Sequence, residues 1–184
     1  MLLALAVLLL AAWLRLAELR RFPPALHYDE AADMLLGRDI AFYGYRPFPV
    51  VAAYSGREAL FYYLSVPLLR IFGTDIFATR LTSAFLGILS VAATIALGLA
   101  MFGGARNGAL IALCGGAWLA VNGPQVWLTR QGFRTSPQPL LEALSLWCLF
   151  IALRRRERWQ LSAMLGGFFG GAALYTYMAA RIFP

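Results

Sequence analysis

Five apolar runs, parted by short polar segments, limit this chain to very few kinds of fold. They cover residues 2–19, 76–102, 108–128, 139–153 and 161–180. About 20 apolar residues in helical form cross the roughly 30 Å hydrocarbon core of a bilayer, so each run reads as a transmembrane helix. The expected fold class is therefore all-α: a polytopic membrane helical bundle of about five transmembrane helices, forming a single domain over residues 1–184. Composition agrees, with 61% apolar and 14% charged residues and a mean hydropathy of +0.68. A signal-peptide reading of the first run fits less well, because no basic stretch precedes it and no small-x-small site follows it. Pro23-Pro24 ends that run, since proline lacks the amide that a helix needs.

Residues 23–75 are the polar exception, an extracytoplasmic loop carrying Asp29, Glu30, Asp33, Arg38, Asp39, Arg46, Arg57 and Glu58 among many aromatics. Apolar Met34, Leu35 and Phe42 recur at helical spacing between polar Asp33, Arg38 and Asp39, which predicts an interfacial helix from Glu30 to Tyr43. Residues 43–57 read as loop. Residues 59–72, short and interrupted by Pro67, read as a second interfacial helix. Gly103 to Asn107 predict a tight turn, Gly123-Pro124 loosen the third span, and 129–138 read as a polar loop. Gly166-Gly167 and Gly170-Gly171 predict close helix packing in the fifth.

All sixteen basic residues are arginine, and the net charge is +7. They are spread over the boundaries of apolar runs, which points to topology and membrane lipids and away from nucleic acid. Arg154-Arg155-Arg156-Glu157-Arg158 is the densest basic run, and the positive-inside rule puts it in the cytoplasm. Counting spans back from there makes this a multi-pass protein of the cell (inner) membrane with a cytoplasmic amino terminus. Asp29, Glu30, Arg57, Glu58, Arg130, Arg134 and Arg181 then share the extracytoplasmic face, although Arg20 and Arg21 also fall outside, against the rule. Cys114 and Cys148 sit in apolar runs and read as small buried hydrophobes. One histidine and two cysteines without ligand spacing give no zinc site.

Carboxylates beside arginines at a membrane face suit transfer from a lipid phosphate. A carboxylate takes the proton of an attacking hydroxyl, and arginines hold the departing phosphate while its charge develops. Grooves between apolar helices suit a polyprenyl tail. Such a cluster also suits an ion pathway, but its charges lie at one face and do not thread the bilayer.

Five ordered stretches carry a family resemblance. His27-Tyr28-Asp29-Glu30-Ala31 resembles the Asp-Glu motif in the first external loop of C-type glycosyltransferases, most closely the protein O-mannosyltransferase and aminoarabinose transferase group, glycosyltransferase family 39. Gly56-Arg57-Glu58-Ala59-Leu60-Phe61-Tyr62-Tyr63-Leu64 is similar to the family's next element, with Ala59 where proline is frequent. Arg80-Leu81-Thr82-Ser83-Ala84 resembles its Arg-Leu-Pro-Ser-Ala. Arg130-Gln131-Gly132-Phe133-Arg134 and Tyr175-Thr176-Tyr177-Met178-Ala179-Ala180-Arg181 are similar to later signatures of its bacterial branch. Thr135 and Ser136 stand where many members carry a second acid.

The resemblance implies inverting transfer of a sugar from a polyprenyl-phosphate donor to an acceptor hydroxyl, on a protein or a glycolipid, without metal or other cofactor. It makes Asp29 the catalytic base, supported by Glu30. Arg80, with Arg57, Arg134 and Arg181, would contact the donor phosphate, and Glu58, Tyr175 and Arg130 the acceptor or other substrate groups. Family members have eleven or more spans, so the chain corresponds to their amino-terminal portion.

Each residue also has a simpler reading. Asp29 suits the N-cap of the interfacial helix, and Glu30 its first turn. Arg57 and Glu58 suit a mutual pair, and Arg130 and Arg134 suit lipid headgroups. Tyr175 and Tyr177 suit an interfacial belt, and His27 a hydrogen bond within its loop. A charge at Arg80, a turn into a span, needs a partner: Asp29, Glu58 or a phosphate. Glu142 predicts an arginine partner. The rival function is a non-catalytic integral-membrane subunit that packs against other subunits of a membrane complex.

Overall fold

A computed structural model describes residues 1–52, 56–154 and 159–182. These residues are mostly helical: α1 (Leu2–Leu16), α2 (Tyr28–Phe42), α3 (Leu60–Phe72), α4 (Ile76–Phe102), α5 (Gly108–Val121), α6 (Gly123–Arg130), α7 (Gln138–Arg154) and α8 (Trp159–Ala173). A 3₁₀ helix follows at Met178–Ile182, and the short strands β1 (Val50–Val51) and β2 (Arg57–Glu58) pair antiparallel between α2 and α3. All of that ladder but Glu58 lies in the stretch 43–57 expected to be loop. Tyr54 and Ser55 in it, and Arg155, Arg156, Glu157 and Arg158 of the basic run, lie outside the described residues.

Helix α4 is the axis of the molecule, packed against α1, α3, α5, α6 and α7, while α8 packs on α7. Its bounds are those of the second apolar run. The Asp75 carboxylate accepts the Phe77 amide at 2.9 Å and fixes its start. At 27 residues it spans about 40 Å and is long and apolar enough to cross a membrane. Only 28% of its most apolar stretch is buried in the molecule. Helices α5 and α6, bent by 55° at their junction, supply a second such element if they form one span. No further described helix meets that standard.

The bend has an identifiable cause. Asn122 caps α6 by accepting the Gln125 amide at 3.1 Å, and Pro124 follows at its first turn. Arg15, fully buried in α1, donates to the carbonyls of Leu119 at 3.2 Å and Ala120 at 3.0 Å. These are end-of-helix acceptors that α5 cannot satisfy itself. Helix α5 meets α4 through the buried stripe Ala112, Gly116, Ala120, where a side chain at Gly116 would overlap Ile95.

Two apolar runs yield shorter helices than their lengths predict. Helix α1 stops at Leu16, where Arg130 donates to the Leu14 and Ala17 carbonyls, both at 2.8 Å. Helix α8 stops at Ala173 and tightens into turns in which the Tyr175 and Thr176 amides bond to carbonyls three residues back. Gly166 and Gly170 do face α7, at Leu149 and Ser145, whereas Gly167 and Gly171 open onto a cavity. Of the cysteines, Cys148 is buried, but Cys114 is exposed because it points away from α4. Glu142 pairs with Gln138 at 2.7 Å on its own helix and with no arginine among the described residues.

Candidate functional site

The site forms at one end of the bundle, from α2, the β1–β2 hairpin, the turn after α6 and the segment before the 3₁₀ helix. His27, not Asp29, is the N-cap of α2, its Nδ1 accepting the Asp29 amide at 3.2 Å. That replaces the N-cap reading of Asp29 and frees its carboxylate for other contacts. His27 also meets the Phe133 ring edge-on at 5.4 Å. The buried face of α2 is acidic as well as apolar: Glu30 and Asp33 lie there with Ala32, Leu36 and Ile40. Asp33 follows Asp29 by four residues, one helical turn on the same side.

Arg57 joins these two acids. Successive side chains leave a strand on opposite sides, so β2 sends Arg57 toward α2 and Glu58 away from it. The Arg57 guanidinium donates to Asp29 Oδ1 at 2.6 Å and to Asp33 Oδ1 at 2.7 Å. Asp33 is 1% exposed. It also accepts the Tyr62 hydroxyl at 3.0 Å and, through Oδ2, the Arg134 amide at 3.2 Å. Burial pushes the Asp33 carboxyl above the ordinary carboxylate range, against the opposing pull of Arg57, Arg134 and Tyr62. Arg57 is itself drawn down by burial, but its bonds to Asp33 and Asp29 outweigh this and hold it above its ordinary value. Asp29, by contrast, is 45% exposed and lines a cavity of about 220 Å³ together with Asp33, Phe133, Arg134 and Tyr177.

Glu58 sits between two arginines. Its carboxylate is 5% exposed and lies 3.8 Å from Arg134 Nε and 3.7 Å from Arg181 Nη2. Arg134 also approaches Asp33 at 3.9 Å and covers the Tyr177 ring at 5.3 Å. Gly132, at φ +66°, turns the preceding loop against Thr79 and Arg80, where a side chain would be crowded at 3.2 Å. A hydrogen bond between Ser83 and Ser136 ties the other side of the loop to α4.

Arg80 is engaged elsewhere. Its guanidinium grips Glu30 with two bonds, at 2.6 Å and 3.0 Å, and donates to the carbonyls of Pro23 at 2.9 Å and Ala25 at 3.5 Å. Glu30 is fully buried and Arg80 is 4% exposed. This pair clamps the chain before α2 onto α4, and Glu30 is the partner that a charge at position 80 requires. Arg130 faces α1 and caps it. Tyr175 stacks on Phe48 at 5.9 Å and lines a separate apolar cavity of about 410 Å³ with Ala59, Leu60, Gly167 and Phe168.

Asp29, Arg57, Glu58, Arg134 and Arg181 thus come together, while Glu30 with Arg80, Arg130 and Tyr175 flank them. Asp33 is the site residue that sequence reasoning passed over. Its signal was the four-residue spacing from Asp29, read only as the polar side of a helix. No family model, curated protein or solved structure matches the chain.

Proposed function

We propose that the chain is part of an inverting glycosyltransferase of the membrane, using a polyprenyl-phosphate sugar on the extracytoplasmic side. One observation carries this reading: a half-exposed carboxylate, Asp29, is oriented by a buried Arg57–Asp33 pair and faces a cavity that also receives Arg134. The charge of Arg57 is divided between two carboxylates, so it aims Asp29 without belonging to it alone. In this reading the acceptor oxygen attacks the anomeric carbon of the sugar and its proton passes to Asp29. The bond from that carbon to the phosphate oxygen breaks, and its electron pair leaves with the phosphate, whose charge Arg134 and Arg181 neutralise. The apolar cavity between the hairpin and α8 lies beside β2 and suits the first isoprene units of the donor.

The membrane part of the reading, with about five crossings, rests on two facts. Large apolar side chains point outward on several helices, among them Leu9, Trp13, Ile111, Trp118, Leu161 and Phe168. Arg154, which bonds the Met101 carbonyl at 3.0 Å, marks the bundle end opposite the acidic cluster, as crossings with a cytoplasmic 154–158 run require. Arg20 and Arg21, the exceptions to the charge rule, pair with Asp75 at 3.5 Å and Glu18 at 3.3 Å, so their charge is matched on the spot.

The experiment is transfer by the purified protein in detergent, offered polyprenyl-phosphate sugars of several kinds with hydroxyl acceptors. Release of free polyprenyl phosphate coupled to a glycosylated acceptor of inverted anomeric configuration supports the proposal. Retained configuration in the product sinks it.

A further inference from the structure

The five arginines around the site are in two different states. Arg57, Arg80 and Arg130 each donate hydrogen bonds of 3.5 Å or less to carboxylates or backbone carbonyls. The guanidiniums of Arg134 and Arg181 do not, although the Arg134 backbone amide does bond Asp33. Their contacts with Glu58, at 3.8 Å and 3.7 Å, and that of Arg134 with Asp33, at 3.9 Å, are longer than hydrogen bonds. The Arg134 Nε is buried without a hydrogen-bond partner among the described residues. Glu58, a carboxylate 95% buried, accepts no hydrogen bond of ordinary length from either arginine. Native interiors rarely leave buried charged groups so loosely joined.

We infer that Glu58 is a resident counter-ion of an anion site formed by Arg134 and Arg181, and that an entering phosphate group displaces it. The donors come from two segments, the turn after α6 and the 3₁₀ helix. Both keep their hydrogen-bonding capacity, and the stacking of Arg134 on Tyr177 holds its plane in place. A phosphate takes up those donors with short charge-assisted bonds, which Glu58 at its present distances does not make. The exchange keeps the partly buried Arg134 guanidinium and the buried Glu58 carboxylate from standing uncompensated while the site is empty, with Arg181 joining from its exposed position. The role goes beyond the contact with acceptor expected for Glu58. It rests on the transferase reading only in taking phosphate as the anion.

The two roles predict opposite signs. Binding of farnesyl phosphate, inorganic phosphate and farnesol is measured by calorimetry on the full chain in detergent, for the wild type, Glu58→Gln, Glu58→Asp and Arg181→Gln. Removing the competing charge makes Glu58→Gln bind farnesyl phosphate about tenfold more tightly than the wild type. Glu58→Asp, which keeps the charge, stays near the wild type, and farnesol binds all four alike. Inorganic phosphate that binds in parallel identifies free phosphate as a ligand; binding of farnesyl phosphate alone identifies the lipid headgroup. Equal or weaker binding of both phosphates by Glu58→Gln overturns the inference, as does a wild type that binds neither.

Should Glu58→Gln fail to fold, the exposed Arg181 decides. Arg181→Gln is expected to weaken farnesyl phosphate at least fivefold, and unchanged binding refutes the site. Failure of Glu58→Gln to tighten binding, beside intact wild-type transfer, removes the counter-ion and leaves the transferase. Tighter binding without turnover of any donor does the reverse.

Discussion

Removing Arg80 tests whether it clamps the fold or awaits a ligand. At 2.6–3.0 Å from Glu30, the gross attraction at an effective dielectric of 20 is about 6 kcal/mol. Desolvating two ions costs several kcal/mol each, so the net worth of the intact pair is small. The consequence appears when one partner goes. Arg80→Met leaves the fully buried Glu30 uncompensated, at a cost of about 4 kcal/mol, or a melting temperature lower by roughly 8–16 °C for a chain of this size. Adding Glu30→Leu removes the stranded charge, leaving mainly the Pro23 and Ala25 carbonyls without a donor, each worth about 1 kcal/mol. The double variant is therefore expected to be more stable than Arg80→Met alone, by about 2 kcal/mol. Thermal unfolding in detergent, followed by tryptophan fluorescence, measures both. A single variant within about 1 kcal/mol of the wild type, or a double variant below Arg80→Met, refutes the clamp.

Two further outcomes follow from burial. Gly87→Ala puts a methyl 2.7 Å from Thr129 Cγ2 and 2.8 Å from Arg15 Nε, where α4, α6 and α1 meet. It should lower stability by about 2 kcal/mol, whereas Gly115→Ala, with nothing within 4 Å, should not; equal melting temperatures for the two variants contradict this packing. Asp33 titrates above its unfolded value, so the folded state binds the extra proton. Its contribution is full below about pH 4 and is lost as pH rises through the folded value. The stability of the wild type relative to Asp33→Asn should accordingly fall as pH rises above about 4 in thermal scans, and a rising difference refutes the assignment.

Local signals told most where the interaction was itself local. The bounds of α4 follow from a long apolar run between Asp75 and a glycine pair. Helix α2 follows from its periodicity, though its cap is His27, whose imidazole fills the N-cap place that was the simpler reading of Asp29. The gathering of Arg57, Glu58, Arg134 and Arg181 around Asp29 follows from their places between successive apolar helices, whose alternation returns those segments to one end of the bundle. What stayed hidden depends on distant partners. Arg15 finds its acceptors at Leu119 and Ala120, about a hundred residues away, at the same junction where Asn122 and Pro124 start α6. Nothing in the sequence separates Arg80 and Arg130, consumed by Glu30 and by the end of α1, from Arg134 and Arg181, which keep their donors. Glu142 misled for the opposite reason: its partner, Gln138, stands one turn away on the same helix.

The catalytic role proposed for Asp29 is tested most directly by initial rates of sugar transfer from a polyprenyl-phosphate donor, wild type against Asp29→Asn. The substitution keeps the shape and the hydrogen bond with Arg57 but removes the proton acceptor. The expected result is a loss of at least about 100-fold in kcat, with binding of the donor nearly unchanged, because the proposal assigns the phosphate to Arg134 and Arg181. Transfer by Asp29→Asn at the wild-type rate would contradict it.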